Sequence, residues 1–232
     1  MIFLARTTTK DVYVNISDKK YLERFIELLS DALKYIEFTL TYKEGVVKVR
    51  LYGQKEVVNQ SVITVKSYGR MFVQSTTPNK HGNFTHNLKL IQQIGSKIIS
   101  LDTISAVLIH SGIPSSVEGQ DLITKATMQE VQNILEELHN LIQETPLSVR
   151  TQIMKRVLAT VSYCTDLSPS FVLEKGMELN YFKTQQNTVS INFEPKKCIT
   201  DLISILSEKT AKVEHDTFFD KEKTINKHYL KK

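Results

Sequence analysis

The stretch YIEFTLTYKEGVVKVRLYG, Tyr35 to Gly53, decides the fold of the N-terminal part of the chain. Apolar and polar side chains alternate on both sides of Glu44-Gly45, a pair that favours a tight hairpin turn. The pattern therefore predicts two antiparallel strands with one apolar and one polar face. On the second strand, Val47, Val49 and Leu51 point inward, whereas Lys48, Arg50 and Tyr52 point outward.

The segments on either side of this hairpin extend it into a small α/β module. Asp11 to Ile16 alternates in the same way and predicts a strand, and Leu22 to Leu33 has the spacing of an amphipathic helix. A second helix follows Gly53, with Val58, Val62, Val65 and Phe72 as its apolar stripe. The order β-α-β-β-α predicts a split β-α-β sheet, and a final strand would complete a ferredoxin-like topology.

The middle of the chain predicts a helix, a hairpin and another helix. Ser100 can cap a helix that ends before Gly112, and Ser115 to Thr124 has the pattern of a hairpin. Thr127 and Glu130 form a T-x-x-E capping box in front of a long apolar stripe. The segment from residue 84 to residue 94 fits a strand and a helix equally.

The C-terminal part predicts two helices, a hairpin and a last helix. Ser168 followed by Pro169 is a strong start signal for the second of these helices. This order is typical of a winged helix-turn-helix. We therefore predict an α+β protein with an N-terminal split β-α-β-like sheet module, a middle α-hairpin-α module and a C-terminal winged-helix-like helical domain. The expected parts are 1–73 for the β-α-β-β-α module, 74–83 for a polar linker, 84–145 for the second α/β module, 146–208 for the winged-helix-like domain and 209–232 for a basic tail.

The charge of the chain is unevenly distributed. The net charge is +5 for 232 residues, and residues 1–80 alone hold 13 basic and 8 acidic side chains. The stretch from Val57 to Leu101 contains no Asp and no Glu, although it carries five Lys or Arg residues. A basic surface without carboxylates suits a polyanion, because each cation that meets a phosphate releases a condensed counterion.

Ten residues are candidates for nucleic-acid contact. The outward row of the second strand combines cations with an aromatic ring, as RNA-binding sheets do, and the acid-free stretch adds cations, a ring and histidines. The candidates are Lys48, Arg50, Tyr52, Lys66, Arg70, Phe72, Lys80, His81, His86 and Lys89. A solvated surface that only keeps the protein soluble is the alternative interpretation of the same charges.

The sequence lacks the motifs that are typical of common enzyme, cofactor and zinc sites. The sequence has no P-loop, no G-x-G-x-x-G, no C-x-x-C and no H-E-x-x-H, and its two cysteines have no zinc spacing. We therefore expect no enzymatic activity, no cofactor, no metal and no catalytic residue. No apolar run approaches the roughly 18 residues of a membrane span, so a cytoplasmic protein without a membrane partner is expected.

Four stretches resemble an archaeal, largely crenarchaeal, family of uncharacterised proteins that is known as a domain of unknown function. They are KVRLYGQKEVVNQSV (Lys48 to Val62), SLDTISAVLIHSG (Ser100 to Gly112), VEGQDLITKATMQEV (Val117 to Val131) and LSPSFVLEKGMEL (Leu167 to Leu179). The resemblance implies an archaeal cytoplasmic protein, and it supplies no catalytic residues.

Three hypotheses for the function follow. The first is an RNA-binding, ribosome-associated protein, a dormancy (hibernation) or assembly factor that contacts rRNA through the basic segment, with ribosomal proteins as further partners. The second is a DNA-binding winged-helix regulator, although its recognition helix carries Glu174 and Glu178 against Lys175. The third is a protein-interaction adaptor that uses the acidic helix at 128–144.

Overall fold

The computed structural model describes residues 8–16, 18–94, 99–185 and 188–207 of a mixed α and β protein with small sheets. The strands are β1 (Thr8–Asn15), β2 (Glu37–Lys43), β3 (Val46–Gly53), β4 (Phe84–Asn87), β5 (Ser115–Glu118), β6 (Asp121–Thr124), β7 (Phe182–Gln185) and β8 (Thr188–Ile191). The helices are α1 (Leu22–Ala32), α2 (Lys55–Thr76), α3 (Leu88–Ile94), α4 (Leu101–His110), α5 (Met128–Gln143), α6 (Gln152–Thr165), α7 (Pro169–Glu178) and α8 (195–207), with a short 3₁₀ helix at Lys19–Tyr21. The chain divides into two compact units, residues 1–133 and 134–232.

The first sheet confirms the predicted split β-α-β arrangement. Its order is β1-β3-β2, and β3 is antiparallel to both neighbours. The strands β1 and β2, which α1 connects, are therefore parallel with β3 between them. Glu44 and Gly45 have φ values of 51° and 80°, so the hairpin turns with the left-handed residues that match strand twist.

The core of the first unit lies between one face of this sheet and the helices α1 and α2. Val49, Phe25, Val65 and Phe72 have no exposed surface, and the other buried side chains of the three strands pack in the same cluster. Burial of each large apolar side chain contributes about 1.5–3 kcal/mol, so this cluster is the main source of stability for the module. Both helices contribute side chains to this cluster, and on the opposite face of the sheet Tyr13, Lys48 and Arg50 are exposed or partly exposed.

The structure corrects the expectation that the next strand of the chain completes this sheet. The strand after α2, β4, pairs with β6 in a second sheet of order β4-β6-β5, and the ferredoxin-like topology is not completed by it. A side-chain contact supports this pairing, because His86 of β4 is buried and donates to the carbonyl of Ala126 just after β6. The hairpin of β5 and β6 and the helix α4 stand where the sequence predicts them.

The predicted polar linker is helical in its first three residues, because α2 continues to Thr76. The rest of it is an ordered turn. The side-chain oxygen of Asn79 accepts hydrogen bonds from the backbone N–H groups of His81 (2.9 Å) and Asn83 (3.1 Å). The Ser75 hydroxyl donates to the carbonyl of Thr85 (3.0 Å), which joins the end of α2 to β4. The ambiguous segment 84–94 is a strand followed directly by a helix.

The caps predicted for the other helices are present. Ser100 accepts from the N–H of Thr103, and Ser168 accepts from the N–H of Phe171 with Pro169 at the first turn. Thr127 and Glu130 exchange hydrogen bonds at the start of α5, as the capping box requires. Each cap satisfies a backbone group that the helix itself leaves open.

The second unit contains α6, α7, the hairpin of β7 and β8, and α8, in the order expected of a winged helix. Asp166 in the left-handed conformation (φ 54°) ends α6 and turns the chain into α7. Val157, Leu158, Val172 and Leu202 are among the buried side chains that form its core. The turn of its hairpin and the basic tail 209–232 lie outside the described residues.

Candidate nucleic-acid interface

The ten candidate residues occupy three different environments. Lys48, Arg50 and Tyr52 lie on the open face of the first sheet, and Phe72 and His86 are buried. Lys66, Arg70, Lys80, His81 and Lys89 are exposed on α2, on the loop after it and on α3. The ten residues therefore do not share one surface.

On the open sheet face, both cations share one carboxylate. The guanidinium of Arg50 donates to the two oxygens of Asp11 at 2.7 and 3.1 Å, and the ammonium of Lys48 lies 2.8 Å from the second oxygen. Asp11 lies directly opposite Arg50 in the β1–β3 register. Lys48 is the next residue of β3 on the same face, two positions before Arg50. The three side chains are only 27–43% exposed, so the network is partly shielded from water.

The electrostatic effects of this network agree for all three partners. Hydrogen bonds from Arg50 and then from Lys48 hold the pKa of Asp11 far below its usual range. The same carboxylate raises the pKa of Arg50 and the pKa of Lys48. Asp11 therefore stays ionised and neutralises much of the charge that the outward row was expected to offer.

One aromatic residue of this face, Tyr13, is better exposed than its cations. Tyr13 is 61% exposed and lies opposite Lys48, whose ammonium is 5.7 Å from the ring centre. Tyr52 shares a hydrogen bond of 3.3 Å with the hydroxyl of Thr39 on β2.

Asp11 and Tyr13 are the residues that sequence reasoning missed. Their outward direction could be predicted from alternation, but the pairing register that places them beside Lys48 and Arg50 could not.

The exposed cations of α2 have a different environment. Lys66 and Arg70 are four residues apart, so they are neighbours on one helix face about 6 Å apart along the axis. Among the described residues, neither makes an ion pair with a carboxylate. Ile63, one turn before Lys66, is 61% exposed and adds an apolar side chain to this surface.

The loop and the helix that follow carry further exposed basic side chains. Lys80 and His81 lie in the turn that Asn79 stabilises, directly after the end of α2, and Lys89 lies in the first turn of α3. No carboxylate within the described ranges 8–16, 18–94, 99–185 and 188–207 pairs with Lys80 or Lys89. We call Lys66, Arg70, Lys80 and Lys89 the free cation set.

The sheet face and the outer face of α2 point in opposite directions. The helix packs Val58, Val65 and Phe72 onto the inner side of the sheet, where Val47 and Val49 lie. Its solvent side therefore faces away from the sheet, whereas Lys48 and Arg50 project from the far side of that sheet. One flat ligand cannot cover both groups of cations at once.

Two of the ten candidates are corrected by their burial. Phe72 has no exposed surface, and its ring packs against Phe25 with the ring centres 5.1 Å apart. His86 is 1% exposed, and its Nε2–H donates to the carbonyl of Ala126 at 2.9 Å. Burial lowers the pKa of His86, so the ring is held neutral. Both residues belong to the interior and are not available to a ligand on the surface.

The two helices on which the DNA-binding and adaptor hypotheses depend, α7 and α5, have acidic surfaces. On α7, Glu174 and Glu178 are exposed, and the ammonium of Lys175 is bound to Glu178 at 2.7 Å. A recognition helix with this face would repel phosphates. On α5, Glu130 belongs to the capping box, and Glu137 is exposed near the C-terminal half.

The part of the chain that the structure describes contains no group of three His, Cys, Asp or Glu side chains placed to hold a metal ion. Within the same ranges, no helix has the length and apolar character needed to cross a membrane.

The fold and its surface define a mixed α and β protein of two compact units. Its free cation set, on α2, the loop beyond it and α3, makes no ion pair within the described residues. The chain belongs to a family described as an uncharacterized protein conserved in archaea, DUF2067, whose model matches residues 14–200. The resemblance inferred from the four sequence stretches is thereby confirmed. No curated protein and no solved structure gives a significant match.

Proposed function

We propose that the protein binds RNA through the free cation set and that it associates with ribosomal particles. The observation that supports this most is the contrast between two groups of cations. Lys48 and Arg50 are held by Asp11, whereas the free cation set is exposed and makes no ion pair among the described residues.

This difference matters for the free energy of binding to a polyanion. A free cation that meets a phosphate releases a counterion at little cost to the protein. A cation that already has a carboxylate partner must give up that partner or bring its negative charge close to the phosphate. The acid-free segment therefore contributes most of the attraction, and the sheet face contributes less than its composition suggests.

A role on the ribosome is the more specific part of the proposal. A basic protein of a family conserved in archaea, without the motifs of an enzyme, suits a factor that docks on rRNA during dormancy or assembly. In this proposal the 146–206 part touches a second surface, such as a ribosomal protein.

The salt dependence of RNA binding tests the proposal. We would measure the affinity of the full chain for a structured rRNA fragment between low and physiological salt, and compare a variant with Lys66, Arg70, Lys80 and Lys89 all changed to Gln. If the four residues meet phosphates, the slope of log affinity against log salt becomes smaller by about three.

The matched control removes the same charge elsewhere. Lys19, Lys34, Lys125 and Lys183 are exposed and lie outside the acid-free stretch, so their change to Gln should leave most of the slope in place. Equal losses of slope in the two variants would indicate unspecific attraction by net charge, and the proposed site would be wrong.

A further inference from the structure

The second unit contains a cavity of about 350 Å³ between the C-terminal half of α5 and the end of α6 with its turn into α7. From α5, Glu137 lines it, and Glu144 lines it from the turn directly after the end of that helix. From the end of α6, Asp166 lines it. A volume of this size is at the lower end of the range of small-molecule sites, about 300–1,000 Å³.

The three carboxylates have no cationic partner in the described part of the chain. None of them takes part in an ion pair there, and no Lys or Arg lines the cavity. The three residues are solvent-exposed along the rim of the cavity. A positive charge bound between them would be attracted by each carboxylate, which would lower the energy of the site.

A buried hydroxyl points to a ligand independently of the carboxylates. Ser162 lines the same cavity, is 2% exposed, and its hydroxyl has no hydrogen-bond partner among the described residues. It lies one helical turn before Asp166, on the side of α6 that faces the cavity. A buried polar group without a partner is rare in proteins, and a ligand that donates a hydrogen bond to it would remove the cost.

The remaining lining indicates what kind of cation fits. Leu141 and Leu167 add apolar surface beside the carboxylates, which suits an aliphatic stem that ends in a charged head. No three acidic, His or Cys side chains of the described residues come close enough to share a metal ion. The cavity therefore suits an organic cation with several N–H donors better than a bare metal ion.

We propose that this acidic cavity binds an alkyl-guanidinium or alkyl-ammonium group, the group carried by arginine and lysine side chains and by small aliphatic amines. The head donates to Glu137, Glu144 and Asp166, one N–H reaches the Ser162 hydroxyl, and the stem lies along the leucines. The inference does not depend on RNA binding, because it uses other residues in the other unit.

The pKa of Tyr163 can report whether the acidic cavity is occupied. Burial raises the pKa of this phenol, and the nearby carboxylate of Glu137 raises it further. A cation bound beside Glu137 opposes the second effect, so the pKa of Tyr163 should fall when the cavity fills.

The test uses the full chain, labelled with ¹⁵N and with ¹³Cζ-tyrosine, and follows its NMR spectra during titration. The charged probe is Nα-acetyl-arginine methylamide, and the neutral probe of the same shape is Nα-acetyl-citrulline methylamide. We expect saturable shifts at the cavity, with a fall in the Tyr163 pKa, for the charged probe only. A parallel titration with agmatine distinguishes the source: tighter binding of agmatine indicates a free amine, and tighter binding of the arginine derivative indicates a protein side chain.

Variants locate the site. Changing Glu137 and Glu144 together to Gln should weaken binding about tenfold, because two opposite charges close to the head are removed. Glu174→Gln, an exposed charge on α7 outside the cavity, is the matched control and should change the affinity by less than about twofold. Ser162→Ala should weaken binding without a loss of stability, because the hydroxyl has no partner in the described part of the chain.

Three results would overturn the inference. They are equal shifts with the citrulline probe, an equal loss of affinity in the Glu174→Gln control, and the absence of saturable shifts with any probe. The last would mean that water alone satisfies the Ser162 hydroxyl.

Discussion

Gly69 is a residue at which α2 closely approaches β1. A Cβ atom at this position would lie 2.8 Å from one methyl group of Val14 and 3.0 Å from the other. Valine is stiff at χ1, so its methyl groups cannot move away easily. The glycine therefore sets the distance at which the helix covers the sheet.

We expect Gly69→Ala to destabilise the protein despite the higher helix propensity of alanine. The propensity favours alanine by about 1 kcal/mol, and overpacking of a core costs about 1–3 kcal/mol. Urea unfolding should show a net loss of about 1 kcal/mol. In the Val14→Ala background the same change should be neutral or stabilising. A stabilising effect of Gly69→Ala in the wild-type background would contradict the close packing of α2 on β1.

His86 illustrates how a polar residue in a basic stretch can belong to the core. Its sequence neighbours are polar, so the segment suggested a surface, but β4 has one buried position and His86 occupies it. Only the pairing of β4 with β6, which is not local in sequence, reveals this burial.

The burial of His86 predicts a pH dependence of stability. Its pKa in the folded state lies below the ordinary value of 6.5, so the unfolded chain binds the proton more tightly. The free energy of unfolding therefore does not depend on this group well above pH 6.5, and it falls as the pH decreases through that value. The slope for one proton is at most about 1.4 kcal/mol per pH unit.

Unfolding by urea at a series of pH values between 7.5 and 5 measures this slope. His86→Gln should flatten it, and His81→Gln, at an exposed neighbouring position, should leave it unchanged. An unaltered slope in His86→Gln would assign the pH dependence to another group.

At the scale of the element, local signals were good predictors of helix starts. Ser100, Thr127 and Ser168 each accept or exchange the hydrogen bonds that their sequence patterns predict. Capping depends on residues within one turn, and such geometry can be predicted from a single sequence. The helix α2 extends three residues beyond its predicted end, because the polar residues Gln74, Ser75 and Thr76 are typical of a loop. The hydrogen bond from the Ser75 hydroxyl to the carbonyl of Thr85 stabilises this last turn, and it joins residues ten apart in the sequence.

The capping box of α5 gives a prediction at this scale. Thr127→Ala removes the acceptor for the N–H of Glu130 and should lower the free energy of unfolding by about 1 kcal/mol. Glu130→Gln keeps a side chain that a capping box accepts, so its loss should be smaller. Thermal or urea unfolding of both variants measures this order. A larger loss for Glu130→Gln would show that charge, and not the reciprocal hydrogen bonds, stabilises the helix start.

At the scale of the whole molecule, hydrophobic periodicity was enough to predict the fold class. It was not enough to predict which strands pair with each other. Alternation identified β1, β2 and β3 with their inner faces, because each face is a property of one strand. The partner of β4 and the ion pairs of Asp11 depend on contacts between distant residues. The candidate site was consequently predicted by charge content, and the structure separates its free cations from its paired ones.

The free cation set is the central claim, and co-sedimentation with archaeal ribosomal particles tests it most directly. Full-length protein and the two matched four-residue variants would be run with purified particles on sucrose gradients at physiological salt. We predict that the protein and the Lys19/Lys34/Lys125/Lys183 variant sediment with the particles, and that the Lys66/Arg70/Lys80/Lys89 variant stays at the top. Normal co-sedimentation of this last variant would contradict the account.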